Sequence, residues 1–239
     1  MLAVFLGWNR GRPVVVKISG GFRFQVRTRM EIWILKESAL DRDYERDAVA
    51  IEDGWTVMDI GAGLGDFAVR VARERPASRV YAFEPQPDSF ALMQENTRMN
   101  GVSNLSAFPE AVSGQAGTLS LFTVTGLSGQ HRTSGAREDG AEVTVPAITL
   151  QGALERLPDR RCDFLKVDCE GAEYEILLGA SPETLGRIRH LALEYHDGIT
   201  AHRHEELAVF LERNGFAVRT RPSPAYHDLG FLFASRRSG

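Results

Sequence analysis

Cysteine is nearly absent from this sequence. Cys162 and Cys169 are the only two among 239 residues, which excludes a disulfide framework and a cysteine-rich zinc site. Lysine is scarce as well. Of 28 basic residues only Lys17, Lys36 and Lys166 are lysines, so a Schiff-base or lysine acid–base mechanism has almost no candidate beyond Lys166. No stretch approaches the roughly 18 uninterrupted apolar residues of a membrane span. The apolar run at the start, Leu2 to Trp8, covers seven residues, is interrupted by Gly7 and has no basic region before it. No membrane association and a cytoplasmic, reducing location are therefore expected. Excess charge is missing too: 28 basic against 32 acidic residues leave a formal −4, and nothing draws the chain as a whole to nucleic acid. What remains is ordinary. Hydrophobic residues at 43% and charged residues at 25% describe one large globular domain, or a domain with appendages.

Along the chain, Val14–Ile18 and Phe22–Val26 flank Ser19-Gly20-Gly21 and predict a hairpin. Met30 to about Ile51 carries a mostly helical pattern, with Tyr44 inside a charged stretch. A regular alternation follows. Strands are predicted at Val57–Ile60, Val80–Phe83, Leu105–Pro109, Phe164–Val167 and Leu191–Leu193. Helices are predicted at Asp66–Arg75, Asp88–Asn100, Thr149–Leu157, Ala172–Leu178 and Glu205–Arg213. Two shorter strands, Thr118–Val124 and Glu142–Pro146, bracket a glycine-rich loop, Gly126–Gly140, which contains His131 and is a candidate lid. Phe216–Thr220 and Phe231–Ala234 close the chain without a helix between them, so the last strand can run antiparallel. The pattern is that of an α/β protein with a mostly parallel sheet.

The strongest local signal is Asp59-Ile60-Gly61-Ala62-Gly63-Leu64-Gly65-Asp66. It leaves a strand and opens a helix at the carboxyl edge of the sheet, where open α/β proteins bind ligands. The next strand ends in Glu84-Pro85, nineteen residues after Gly65, and an acidic group there can accept both hydroxyls of a ribose. Dinucleotide enzymes need the G-x-G-x-x-G spacing. Here the third glycine comes one residue early, and the carboxylate of Asp66 would repel a pyrophosphate at the helix N-terminus. No tyrosine has a lysine four residues on. S-adenosylmethionine, with an ammonium and a sulfonium, tolerates acidic groups at Asp59 and Asp66, so a methyl donor fits better than NAD.

A second run, Asp163-Phe164-Leu165-Lys166-Val167-Asp168-Cys169-Glu170-Gly171-Ala172-Glu173, ends a later strand. Together with the glycine turn, Ala82-Phe83-Glu84-Pro85, Asn96 and Asn100, it resembles the FkbM-type methyltransferases, from Tyr44 to about Gly215. The resemblance implies a class I methyltransferase-like, Rossmann-like fold. This would be a seven-stranded, mostly parallel sheet with helices on both faces and an antiparallel last strand. It also implies S-adenosylmethionine as cofactor and, in many relatives, hydroxyl methylation of sugars or polyketide-type natural products. Carried over, Asp59, Gly61, Ala62 and Gly63 would line the methionine end, Glu84 would hold the ribose, Glu110-Ala111 would face the adenine, and Pro85 and Asp168 would also contact the cofactor. Tyr44 either sits near the cofactor or packs the preceding helix. The sequence departs from the family's commoner wording at Gly63, where asparagine is frequent, and at Cys169, where valine is. Cys169 reads as a small packed thiol. Residues 1–45 would form an N-terminal hairpin and helix segment, and residues 46–239 the methyltransferase domain.

Methyl transfer to a hydroxyl needs a proton acceptor. Glu194-Tyr195-His196-Asp197 ends the fifth main strand, and alternation puts Glu194 and His196 on one face. The family often has an acid–x–His arrangement here, so His196 is expected as base, oriented by Asp168 or Glu194. An alternative is a divalent metal on Asp168, Glu194 and His196, but no metal is expected. Competing readings are an NAD-dependent oxidoreductase and a catalytically idle cofactor-binding partner protein. The partner expected is a small molecule, with no nucleic acid. The Val14–Val26 hairpin is a candidate interface between copies, and acceptor specificity would lie in the N-terminal segment, Gly126–Gly140 and Pro222–Asp228.

Overall fold

The computed structural model describes residues 13–47, 49–122, 142–224 and 226–237. The expected lid, His131 and the apolar run at Leu2–Trp8 lie outside the described residues. The chain opens with an antiparallel hairpin of β1 (Val14–Ile18) and β2 (Phe22–Val26). A helical strap follows: α1 (Arg29–Ile34), a π-helical stretch at Leu35–Leu40, and α2 (Asp43–Arg46). The alternating part contributes β3 (Thr56–Ile60), α3 (Asp66–Glu74), β4 (Arg79–Phe83), α4 (Pro87–Met99) and β5 (Leu105–Phe108). It continues with β6 (Ala111–Val112), β7 (Gly117–Phe122), β8 (Glu142–Ile148), α5 (Leu150–Leu154), β9 (Cys162–Val167), α6 (Glu173–Leu178) and α7 (Pro182–Gly186). The last elements are β10 (Ile188–His196), α8 (His204–Arg213), β11 (Phe216–Pro222) and β12 (Leu229–Arg236).

Seven strands form the main sheet in the order β11-β12-β10-β9-β3-β4-β5. β3, β4, β5, β9 and β10 pair in parallel, and β12 runs antiparallel between β10 and β11. This is the expected seven-stranded, mostly parallel sheet with an antiparallel last strand. The order steps outward from β3 to β4 and β5 on one side and to β9 and β10 on the other, so a crevice opens at the carboxyl ends of β3 and β9. β6, β7 and β8 make a separate small sheet beside it.

The central strands are apolar on both faces because helices cover both. Met58, Ile60, Leu165, Val167, Leu191 and Leu193 belong to a core shared with α5, α6, α7 and α8. Val57, Phe164 and Ala192, the alternate residues, join Tyr44 and the Phe67–Ala72 side of α3. The same alternation assigns Asp59, Lys166, Asp168, Glu194 and His196 to the α3 side.

The mostly helical stretch expected from Met30 to about Ile51 is broken into short pieces. The amide of Asp41 bonds back five residues to the Lys36 carbonyl at 2.8 Å, and Arg42 turns left-handed at φ 56°. Arg42 and Arg70 are held there by carboxylates from neighbouring elements. Arg42 pairs with Glu74 at 2.6 Å, and Arg70, 2% exposed, pairs with Glu45 and with Glu74 at 3.1 Å. Replacing Arg70 with alanine leaves Glu45 buried without a cation and should cost about 3–5 kcal/mol, read as a fall in the urea midpoint.

α2 spans the boundary expected between residues 45 and 46, and the hairpin packs within the same body. Phe22, Phe24 and Val26 share a core with Leu64, Val69 and Leu92. Asn96 Oδ1 accepts from the Gln25 amide at 2.7 Å, and Asn100 Oδ1 from the Arg23 amide at 3.0 Å. This face of the hairpin, a candidate interface in the sequence, is therefore spent on α3 and α4 of its own chain. α7 and β6 were not expected. Among the described residues no helix is long and apolar enough to cross a membrane.

Candidate active site

The glycine turn is built by close approach. The amides of Gly61 and Ala62 both donate to the Phe83 carbonyl at 3.0 Å, pinning the turn to β4. Gly61 has φ +74°, and a Cβ there would stand 1.8 Å from the Asp168 carbonyl oxygen. The turn after β9 thus presses against the turn after β3, and only glycine fits. Gly63, at φ +54°, has nothing within 4 Å of such a Cβ. Its backbone is open to the crevice.

Glu84 closes the other side. It is 5% exposed, and its carboxylate accepts from the Gly63 amide at 2.7 Å and the Gln86 amide at 2.9 Å. Burial pushes its pKa up to about 7 against those two bonds. Asp66, on the first turn of α3, is likewise pushed up by burial, to about 6. Asp59 is fully buried with its Oδ1 at 2.9 Å from Lys166 Nζ.

The turn from β9 to α6 explains the Asp-x-Glu-Gly-Ala-Glu phrase. Glu170 sits left-handed at φ 51° and Gly171 at φ 106°, and a Cβ on Gly171 would meet Ile199 at 2.7 Å. Glu173, fully buried, staples the strained turn: its carboxylate accepts from the Cys169 amide at 2.6 Å and the Gly171 amide at 2.8 Å. Cys169 lies under this turn with its thiol pushed well up by burial, as a packed rather than a reactive group.

Asp168 emerges from the turn into the cavity. Its Oδ2 accepts from the Tyr44 hydroxyl at 2.7 Å, and that hydroxyl lies 3.5 Å from Glu194 Oε2. Tyr44 both packs and reaches the cavity. Its ring packs edge-on to Phe67 and Phe231, while its hydroxyl enters the site. Burial, reinforced by Asp168 and Glu194, holds that hydroxyl's pKa well above normal, so it stays a donor. Burial also pushes Glu194 up to about 8, with Asp168 adding to it.

His196 has other partners than those expected. Its Nδ1 faces Glu173 Oε1 at 3.2 Å and its Nε2 lies 3.6 Å from Glu170 Oε2; neither Asp168 nor Glu194 orients it through a hydrogen bond. Burial works against its charge, but Glu173, Asp168 and Glu170 outweigh this and raise its pKa to about 10. Asp168, Glu173 and His196 do offer atoms within 4.8 Å of one another. In that group Glu173 stands in the place expected for Glu194, and its two oxygens already accept from the Cys169 and Gly171 amides. A second such group, Asp197, His204 and Glu205, caps α8: Asp197 accepts from the His204 amide at 2.9 Å and from the Tyr174 hydroxyl.

These groups share one cavity of about 1650 Å³. Its lining includes Tyr44, Gly61, Ala62, Gly63, Glu84, Pro85, Ala111, Asp168, Glu194 and His196. Glu110 is placed elsewhere. Its two oxygens lie 2.8 and 2.9 Å from Arg156 Nη2, and it is not among the lining residues. The far wall comes from Trp33 and Glu37 on the strap and from Arg221 to Pro224, Tyr226 and Phe231 near the end of the chain. Sequence reading did not find Trp33, Glu37 or Glu173 as site residues. For Glu173 the signal was there, because it ends the phrase that carries the family resemblance.

Comparison with known proteins identifies the family. Residues 59–218 match the model of the methyltransferase FkbM domain. The chain is 26% identical to the 31-O-demethyl-FK506 methyltransferase FkbM of Streptomyces tacrolimicus over 222 residues, covering 81% of this chain and 85% of that protein. It is 27% identical to the AMB antimetabolite synthetase AmbE of Pseudomonas aeruginosa over 79% of its own length, but spans only 11% of AmbE. Among solved structures, M. jannaschii TYW2 in complex with AdoMet superposes with a TM-score of 0.52 at 14% identity, covering 96% of this chain and 89% of that one; this likeness concerns the fold. From the glycine turn through Asp168 and Glu194 to β11, the chain belongs to the FkbM methyltransferase family.

Proposed function

We propose that this chain is a cytoplasmic, S-adenosylmethionine-dependent O-methyltransferase that acts on a hydroxyl of a small molecule. One observation carries the reading. The open backbone of Gly63, with Glu84 2.7 Å from its amide, and the Tyr44–Asp168–Glu194 group line the same cavity. The first is a cradle for a nucleoside, and the second can bind and deprotonate a hydroxyl beside it. The name of one relative, the 31-O-demethyl-FK506 methyltransferase FkbM, supports a methyl acceptor of small size.

The cofactor would supply an electrophilic methyl group on a sulfonium. Glu84 would accept the ribose hydroxyls, and Gly61, Ala62 and Gly63 would surround the amino-acid end; Asp59, expected beside them, is fully buried behind the cavity lining and paired with Lys166. The protein's own task is to align the acceptor and to take its proton. His196, expected as base, keeps its proton below about pH 10 through Glu173, and Glu194 is better matched, with a pKa of about 8. We assign the base to Glu194. Asp168 accepts from Tyr44 at one oxygen, and its other oxygen would hold the acceptor hydroxyl, while His196 braces the Glu170–Glu173 turn.

Incubation with methyl-labelled S-adenosylmethionine and a panel of sugar and polyketide alcohols, amines and carboxylic acids tests the reading. Label in a methyl ether supports it; label on nitrogen or carboxyl acceptors alone, or in none, contradicts it. Replacing Glu84 with alanine should weaken cofactor binding by about 10²-fold, the loss of two charge-assisted bonds, measured calorimetrically. Unchanged affinity would remove Glu84 from the ribose site.

A further inference from the structure

Lys166, the lone lysine of the α/β core, reaches into this site. Asp59 and Lys166 are register partners on the adjacent strands β3 and β9, and Asp168 follows Lys166 on the same face. The Lys166 ammonium lies 2.9 Å from Asp59 Oδ1, donates to the Gly61 carbonyl at 2.8 Å and stands 3.8 Å from Asp168 Oδ2. It also faces the Tyr44 ring, 5.2 Å from its centre. At 5% exposure it has little water. Burial works against its charge, but Asp59, Asp168 and Asp66 outweigh burial and raise its pKa.

We propose that Lys166 is a positioning residue of the cofactor site, tying Asp59, the Gly61 carbonyl and Asp168 into one unit and supplying the fixed positive charge of the crevice floor. This rests on the cofactor reading above. A carbonyl at hydrogen-bond distance and two carboxylates at ion-pair distance, from the ends of two strands, converge on one ammonium. Without it, Gly61 would lose the bond that turns its carbonyl inward, and with it the register of the turn that presents Gly63 to Glu84. The electrostatic consequence is separate. Lys166 lowers the proton affinity of Asp59, Asp66 and Glu84, whereas Asp59 raises that of Asp66 and Glu84. Asp168 acts against Lys166 at Asp59, and Glu84 is one of the charges raising Cys169. Removing the ammonium leaves only carboxylates among these named groups, so they should protonate at higher pH.

The test is calorimetric titration with S-adenosylmethionine between pH 6.5 and 9, on the wild type, Lys166→Met and Lys166→Arg, with melting curves for each. Lys166→Met should bind about 10-fold or more weakly at pH 8, and its acid-side loss of affinity should begin about one pH unit higher than in the wild type. Lys166→Arg, which keeps the charge, should retain the wild-type pH dependence even if its affinity falls. If both variants lose affinity and melting temperature alike with an unmoved pH dependence, the residue is merely structural and the proposal fails. Should Lys166→Met not fold, the double variant Asp59→Asn/Lys166→Met removes the stranded carboxylate and carries the same pH readout. A wild type that does not bind S-adenosylmethionine overturns the cofactor reading; a Lys166→Met protein with wild-type affinity and pH dependence overturns only the role given to Lys166.

Discussion

Gly61→Ala is expected to lose cofactor binding by at least about 10²-fold and to destabilise the fold by about 3–5 kcal/mol, at the upper end of single substitutions. Two effects coincide there. The backbone is at φ +74°, and a Cβ would lie 1.8 Å from the Asp168 carbonyl oxygen and 2.8 Å from its carbon. Those atoms are main chain, fixed by the Asp168 amide bonding to the Ile60 carbonyl at 3.0 Å. No side-chain rotation relieves the clash, so the ends of β3 and β9 must part. Gly63→Ala is the informative control. It also sits at positive φ, but nothing lies within 4 Å of its Cβ, so its cost should be the left-handed penalty of about 1–2 kcal/mol. Urea melts of the two variants check the difference. Equal destabilisation would mean that the close approach of the two turns does not exist in solution.

Glu194→Gln is expected to lower turnover by about 10²–10³-fold with cofactor affinity nearly unchanged, once an acceptor is in hand. The amide keeps the shape but cannot take a proton. The pH profile separates the two candidate bases. Glu194, raised to about 8 by burial and Asp168, is idle when protonated, so activity should rise with pH through a midpoint at about 8, or lower with a cationic cofactor bound. His196 would place the same limb at about 10. The limb should vanish in Glu194→Gln. A limb that persists there, or one centred at 10, would return the role to His196.

The fold was largely legible because its signals are local. Val57–Ile60, Phe164–Val167 and Leu191–Leu193 are short apolar runs buried on both faces, and each marked a central strand. Asp59, Gly61 and Glu84 could be located together because all stand at strand ends on one edge of a parallel sheet. The strap was less legible. The residues of Met30–Ile51 carry a helical period, but the strap is tied down by the pairs Glu45–Arg70 and Arg42–Glu74, 25 and 32 residues apart in the chain. His196 shows the same limit. Alternation placed it on the site's face, yet its partner was decided by the left-handed turn at Glu170, which brings Glu173 back to it. Glu110 was assigned by analogy to the adenine, and its partner Arg156 could not be read from spacing. Lys166 is the instructive case, since alternation alone puts it on the face of Asp168. Its rarity in the sequence argued against lysine chemistry, whereas the structure gives it a fixed-charge role that needs only one lysine.

The central claim is that the Gly61–Gly63 turn and Glu84 hold S-adenosylmethionine. Calorimetric titration of the full chain with S-adenosylmethionine, and in parallel with NAD, tests it most directly. The account predicts one site for S-adenosylmethionine, weakened by Glu84→Ala, and no comparable heat with NAD. Binding of NAD in its place, or S-adenosylmethionine binding indifferent to Glu84, would contradict it.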